Sequence, residues 1–164
     1  MNAHELIVFD KLESKGYSVF YPRRDRGVDC VVTSQELQGK FVKIQIKGSR
    51  KYEGGGGWFQ VSRNQLETAK ADIWIFIWPD ILRPGKIEPM FLLIRPGELL
   101  HRALSVPGPG SNETLNLYFE RREDQIIQTR GLRKKTSPEP ARNFTAYLDN
   151  WQLVESLASV DVPK

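Results

Sequence analysis

Two short segments carry side chains that could hold a metal ion and a phosphate: Arg26-Gly-Val-Asp29-Cys-Val-Val and Phe41-Val-Lys-Ile-Gln45-Ile-Lys47-Gly-Ser. A carboxylate, an amide oxygen and an ammonium are the groups such a site needs. If both segments are strands, alternation puts Lys43, Gln45 and Lys47 on one face and Val42, Ile44 and Ile46 on the other, which reads as core. In the first segment Asp29, Val31 and Thr33 share a face, opposite Val28, Cys30 and Val32. A hairpin closing around Leu37 then sets Asp29 across from Gln45 and Gly27 across from Lys47. The register matters, because a slip of one residue would carry one strand's set to the wrong face.

The elements that must position these groups follow from local pattern. Leu6, Val8, Phe9 and Leu12 form an apolar stripe over residues 3 to 15, with Asn2 as cap and Lys15-Gly16 as a basic, glycine-ended terminus. Tyr17 to Tyr21 reads as a strand stopped by Pro22, and the hairpin of 28–33 with 41–47 follows. Gly54 to Gly57 make a crossing. They lack the Gly-Lys-Ser/Thr ending of a nucleotide loop. Trp58 to Val61 is a short extended piece, and Ser62-Arg-Asn-Gln65 has capping-box spacing for a helix through Lys70. The apolar run Ile73 to Trp78 suits a strand buried on both faces at the centre of a mixed sheet. Ile87 to Ile94 predicts a strand, Pro96 to Leu104 a helix, Leu115 to Phe119 and Gln125 to Gln128 short strands, and Arg130 to Ala141 a basic loop. Phe144 to Ala158 predicts a closing helix with Tyr147, Trp151 and Val154 on one side.

A length of 164 residues with 40% hydrophobic content predicts one domain spanning 1–164. No apolar run approaches the roughly 20 residues that span a bilayer, and Glu5 stands where a secretory signal would place lysines, so an intracellular, cytoplasmic protein is expected. One cysteine excludes an internal disulfide, and Cys30 on the apolar strand face predicts a buried, inert thiol. His4 and His101 lack ligand spacing. The net charge of +4 is unevenly placed: residues 21–51 hold eight basic side chains against three acids. That surround favours polyanions, nucleic acid above all, although a solvated hairpin would show the same lysines.

The order of elements, together with Gly27-Val-Asp29 and Gln45-Ile-Lys47, resembles the PD-(D/E)XK nuclease superfamily, in the form where glutamine replaces the acid before the lysine. The match covers residues 3–78. The resemblance implies an α/β fold: a mixed central sheet flanked by helices, with a restriction endonuclease-like core of helix, three strands, helix and strand. Residues 79–164 are then C-terminal additions without an assignable motif. It also implies an acidic residue on the second core strand, matched by Asp29, the lysine motif on the third, and a helix-one glutamate, matched by Glu5.

The expected activity is Mg²⁺- or Mn²⁺-dependent hydrolysis of phosphodiester bonds in DNA, or in RNA, by Glu5, Asp29, Gln45 and Lys47. Asp29 is the best direct metal ligand, with the Gln45 side-chain carbonyl, the Ile46 backbone carbonyl and Glu5 completing the set. An amide brings no charge, so metal affinity should be below that of an acidic homologue. Lys47 would stabilise charge at the phosphate rather than act as a base. Lys43, Ser49, Arg50, Lys51 and Gln65 are candidate phosphate contacts and Trp58 a stacking contact, while Trp74 and Trp78 read as core. Cleavage of both strands would call for a homodimer or higher oligomer. The missing carboxylate at Gln45 equally suits a nuclease-like module that binds nucleic acid without cutting it, and Glu5 equally suits a cap.

Overall fold

Asn2 starts the first helix. Its side chain accepts the Glu5 N–H at 3.0 Å and its own N–H donates to the Glu5 carboxylate at 2.9 Å, a reciprocal capping box that opens α1, Ala3–Ser14. The computed structural model describes residues 1–24, 26–34, 39–49, 56–83, 85–108, 113–133 and 136–159, with backbone alone at 81–83. The expected turn at Leu37, the basic residues Arg50 and Lys51, and Gly54 lie outside the described residues.

After α1 come β1 (Tyr17–Phe20), β2 (Cys30–Ser34) and β3 (Val42–Gly48), an antiparallel meander. Then β4 (Gly57–Ser62) leads into α2 (Arg63–Glu67), whose first turn is capped by Ser62. β5 (Ile73–Arg83) returns parallel to β3 and pairs antiparallel with β6 (Lys86–Ile94). The larger sheet therefore has the order β1-β2-β3-β5-β6. β3 stands at the centre and β5 beside it, which corrects the central place expected for the apolar run, although β5 is interior as burial on both faces requires. The fold is a mixed α/β sheet with flanking helices.

α3 (Pro96–Leu104) has proline in its first turn, as expected. β7 (Thr114–Arg122) and β8 (Gln125–Gln128) join β4 in a second, three-stranded sheet of order β4-β7-β8. This sheet and α3 cover one face of the larger sheet. Phe59, Phe76, Trp78, Leu117, Phe119 and Phe144 form the core between them. Phe119 lies at its middle, with the rings of Phe59, Phe76, Trp78 and Phe144 centred 5.8, 5.7, 5.9 and 4.9 Å away. The opposite face carries α1 and α4 (Gln152–Ala158), packing Val8, Phe9, Leu12 and Val154 against Cys30, Val32, Ile44 and Ile75.

The closing helix expected from residue 144 starts only at Gln152. The preceding segment is used as a strap: Phe144 N–H donates to Ile126, Leu148 bridges Leu92, and Asp149 at φ 48° donates its N–H to Phe91. Backbone groups spent on two sheets leave only the short 3₁₀ turn Thr145–Tyr147 and no continuous α-helix, so Tyr147 packs toward the inter-sheet core while Trp151 and Val154 pack beneath the larger sheet. No helix among the described residues is long and apolar enough to cross a membrane.

Candidate active site

The β2–β3 pairing runs Cys30↔Ile44, Val31↔Lys43 and Val32↔Val42. The expected register holds through Cys30↔Ile44 and breaks at Asp29, which meets Gln45 through its side chain and not as a main-chain pair. Asp29 itself stands just before β2, its N–H donating to Ile44 at 2.8 Å. The turn ahead of it is made by Gly27 at φ +84°, a conformation that L side chains resist. Strand alternation is broken there: Val28 packs toward the inter-sheet core and not with Cys30 and Val32 beneath the sheet, which corrects its expected face.

The Asp29 carboxylate bridges to β3. Its Oδ2 accepts the Gln45 Nε2 at 2.6 Å and the Ile46 N–H at 2.5 Å. Gln45 is buried, 7% exposed, and presents nitrogen rather than oxygen because two acceptors would repel at that distance. Its Oε1 faces the Gly27 side, 3.8 Å from where a Gly27 Cβ would stand. Lys47, the next residue on this face, is half-buried with Nζ 5.4 Å from the centre of the Trp74 ring. Trp74 reaches this point because β5 is locked to β3 in parallel: the Asp72 carboxylate accepts the Lys43 N–H at 2.8 Å and the Asp72 N–H donates to Lys43 O at 2.8 Å. That lock sets Gln45 beside Trp74 and Lys47 beside Phe76.

Two cavities flank the carboxylate–amide contact. One of about 210 Å³ is lined by Arg26, Gln45, Gln65, Lys70 and Trp74 among others, so Gln65 does come to Gln45. The other, about 280 Å³, brings Glu5 and Asp29 together. Glu5 also serves as a cap: its two oxygens take the Asn2 N–H and, at 2.7 Å, the Asn2 side-chain amide. Burial, then the Asp29 and Glu5 charges, push the Cys30 thiol up to about 12, so it stays protonated and inert.

The remaining expected contacts are spread out. Lys43 is exposed on the Gln45 face. Ser49 is buried, and its hydroxyl accepts the Trp58 N–H at 3.0 Å, tying β3 to β4; a phosphate contact there gives way to a structural role. Trp58 is half-buried on the face of β4 opposite to Phe59. His4 packs on Gly48, where any Cβ would stand 2.3 Å from its ring, so glycine is needed at that crossing. Sequence reasoning missed Lys70 and the position of Trp74 beside the site; Asp72, which fixes the β3–β5 register, marks that position only once the two strands are known to be neighbours.

Among the described residues no three His, Cys, Asp or Glu side chains cluster as a metal site. One carboxylate with a second across a cavity nevertheless fits Mg²⁺, which keeps several waters and takes few protein oxygens.

No protein-family model matches the chain, and no curated protein matches it. Among solved structures it is similar to a bacterial homing endonuclease, I-Ssp6803I, with 16% sequence identity over 94% of this chain and 88% of that one, at a TM-score of 0.52. The likeness is one of fold: the chain shares a mixed α/β architecture with that structure over 94% of its length.

Proposed function

We propose that this chain is a divalent-metal-dependent nuclease that hydrolyses phosphodiester bonds in DNA, with Asp29, Gln45 and Lys47 as its reactive constellation. The observation that carries the reading is the Asp29 carboxylate bridged to Gln45 and Ile46 across β2 and β3, with Lys47 next on the same face. Asp29 would hold the ion, and the Gln45 oxygen would join it once the amide rotates, since Nε2 now faces Asp29 and Oε1 the Gly27 side. The Ile46 carbonyl lies on the same strand edge as the N–H that reaches Asp29, and Glu5 would act from across the shared cavity, directly or through water. Bound there, Mg²⁺ or Mn²⁺ would polarise the phosphoryl oxygen and activate water. Lys47 would offset charge developing on the phosphate. The Gln45 amide donates to the carboxylate, where a second acid would repel Asp29. The homing endonuclease of similar fold supports DNA as the substrate, and cutting both strands would require two copies of this chain.

A second reading, a module that binds nucleic acid without cutting it, is favoured by that same contact, since the single carboxylate is already hydrogen-bonded. Incubation of the protein with supercoiled plasmid, linear duplex, single-stranded DNA and structured RNA under Mg²⁺, Mn²⁺ or Ca²⁺ separates them. Metal-dependent nicking or linearisation supports the nuclease. Salt-sensitive binding that leaves every substrate intact supports the module.

A further inference from the structure

The sheet face that carries Gln45 and Lys47 continues past the site into an exposed aromatic pair. Phe20 ends β1 and stands opposite Val31, which stands opposite Lys43, so the three share one row across the sheet. Directly opposed residues point to one face, and Lys43 is two residues from Gln45 on that same face. Phe41 precedes β3 in the same alternation. It is 60% exposed and Phe20 46% exposed, and their rings meet edge to face with centroids 6.3 Å apart. Phe41 lies four residues from Gln45, about 13 Å along the strand, or about four base steps of duplex rise.

Two large aromatic rings in water at a sheet surface need a reason, because the fold itself gains little from them. The opposite face of the same strands is already filled: Val32 and Val42 are buried beneath the sheet. The surroundings of the pair are cationic. Lys43 stands in the same row, Lys40 precedes Phe41, and Arg23 and Arg24 follow Phe20 within four residues, all of them exposed; Arg26 lines the cavity at Gln45. A basic rim around an aromatic platform is complementary to a strand that offers both phosphates and base faces. A paired duplex hides its base faces in the stack and offers only edges.

We infer that Phe20 and Phe41 form a stacking platform for unpaired bases, so that the nucleic acid held at Gln45 and Lys47 has a single-stranded or unpaired stretch within a few nucleotides of the reacting phosphate. This rests on the nucleic-acid reading above and deepens it by naming the substrate class. The rings stack on bases, the lysines and arginines follow the backbone, and neither Phe touches the reacting atoms.

The test uses the full chain with Phe20→Ala, Phe41→Ala and the double substitution, and measures anisotropy of labelled oligodeoxynucleotides in Ca²⁺. The probes are a single strand, a blunt duplex, and the same duplex with an internal unpaired stretch. Wild type should bind the two unpaired probes more tightly than the duplex. The double variant should lose about tenfold or more on them with less than a twofold change on the duplex. Equal losses on all three probes, no loss, or no binding by the folded wild type would overturn the inference. So would sedimentation showing that wild type is a dimer and the double variant a monomer with unchanged DNA affinity, since the pair would then be a self-association surface. Cleavage is read in parallel under Mg²⁺: selective loss of unpaired binding without cleavage by wild type sinks the nuclease and keeps the platform, while cleavage with unaltered binding does the reverse.

Discussion

Replacing Gln45 by glutamate restores the acid that the resembling nucleases carry and tests how the present site is held together. The Gln45 Nε2 donates to Asp29 Oδ2 at 2.6 Å in a pocket where Gln45 is 7% exposed. Gln45→Glu removes a charge-assisted hydrogen bond of about 1.5–3 kcal/mol. It also places two carboxylates in contact, a repulsion of about 6 kcal/mol at that separation with an effective dielectric of about 20. The chain has a cheaper alternative. Protonating a carboxyl of ordinary pKa near 4.3 at pH 7 costs about 4 kcal/mol, and the protonated form can donate to Asp29 as the amide did. Proton uptake therefore caps the loss at about 4 kcal/mol at pH 7 and about 1 kcal/mol at pH 5. The introduced group has a folded pKa above its unfolded value, so the variant matches wild type below about pH 4.3. It falls behind as pH rises, until the raised pKa is passed. Mg²⁺ should close the gap, because two carboxylates hold the ion more tightly than one and binding to the folded state alone is stabilising. Urea denaturation of both proteins at pH 5 and 8, with and without Mg²⁺, measures all of this. A deficit that does not change with pH, or that Mg²⁺ leaves untouched, would refute the view that Gln45 stands in for an acid beside Asp29.

Other outcomes follow from the same geometry. Cys30, its thiol pushed up to about 12, should not react with an aromatic disulfide reagent at pH 8 until denaturant is added; absorbance on mixing reads this, and prompt reaction would contradict its burial. Arg142 is 1% exposed and donates to Gln128, Arg130 and Pro107 carbonyls while pairing with Glu139, so Arg142→Met should cost about 3 kcal/mol or more by leaving those carbonyls unmet, seen as a lowered urea midpoint. The Glu98 carboxyl is held below its usual range by hydrogen bonds from Tyr147 and Arg102. Its contribution is complete above about pH 4.5 and is lost as pH falls through the lowered value. Glu98→Gln should therefore lower the melting temperature at pH 7, and its effect should fade as pH falls through the carboxyl's lowered range. Phe119→Ala, at the centre of four rings, should cost about 3–5 kcal/mol by equilibrium unfolding.

What was legible in the sequence was local or symmetric. The Asn2 cap and the Val8–Phe9–Leu12 stripe mark α1, and the alternation of two strands anticipates the β2–β3 register through Cys30↔Ile44, next to which the Asp29 side chain meets Gln45. The second sheet was not legible. β4 pairs with β7 across more than fifty residues, and a short run such as Trp58–Val61 carries no mark of which strand it will find. The closing helix was overextended because Tyr147, Trp151 and Val154 fit a helical spacing; the Asp149 turn and the backbone bonds to β6 and β8 are tertiary and override it. Trp74 read correctly as buried, yet its position beside Lys47 depends on the Asp72 lock, which is visible only once β3 and β5 are known to be neighbours. Glu5 fitted two roles from sequence and takes both positions at once, capping α1 while lining a cavity with Asp29.

The most direct measurement is cleavage of DNA by wild type, Asp29→Asn and Lys47→Ala, each shown to be folded by thermal unfolding, with Mg²⁺ binding followed by calorimetry. Wild type should cut in a metal-dependent way. Asp29→Asn should lose both metal binding and cleavage. Lys47→Ala should bind the ion normally while its cleavage rate falls by about a hundredfold or more. Cleavage that survives either substitution, or metal binding unaffected by Asp29→Asn, would place the chemistry elsewhere and contradict the account.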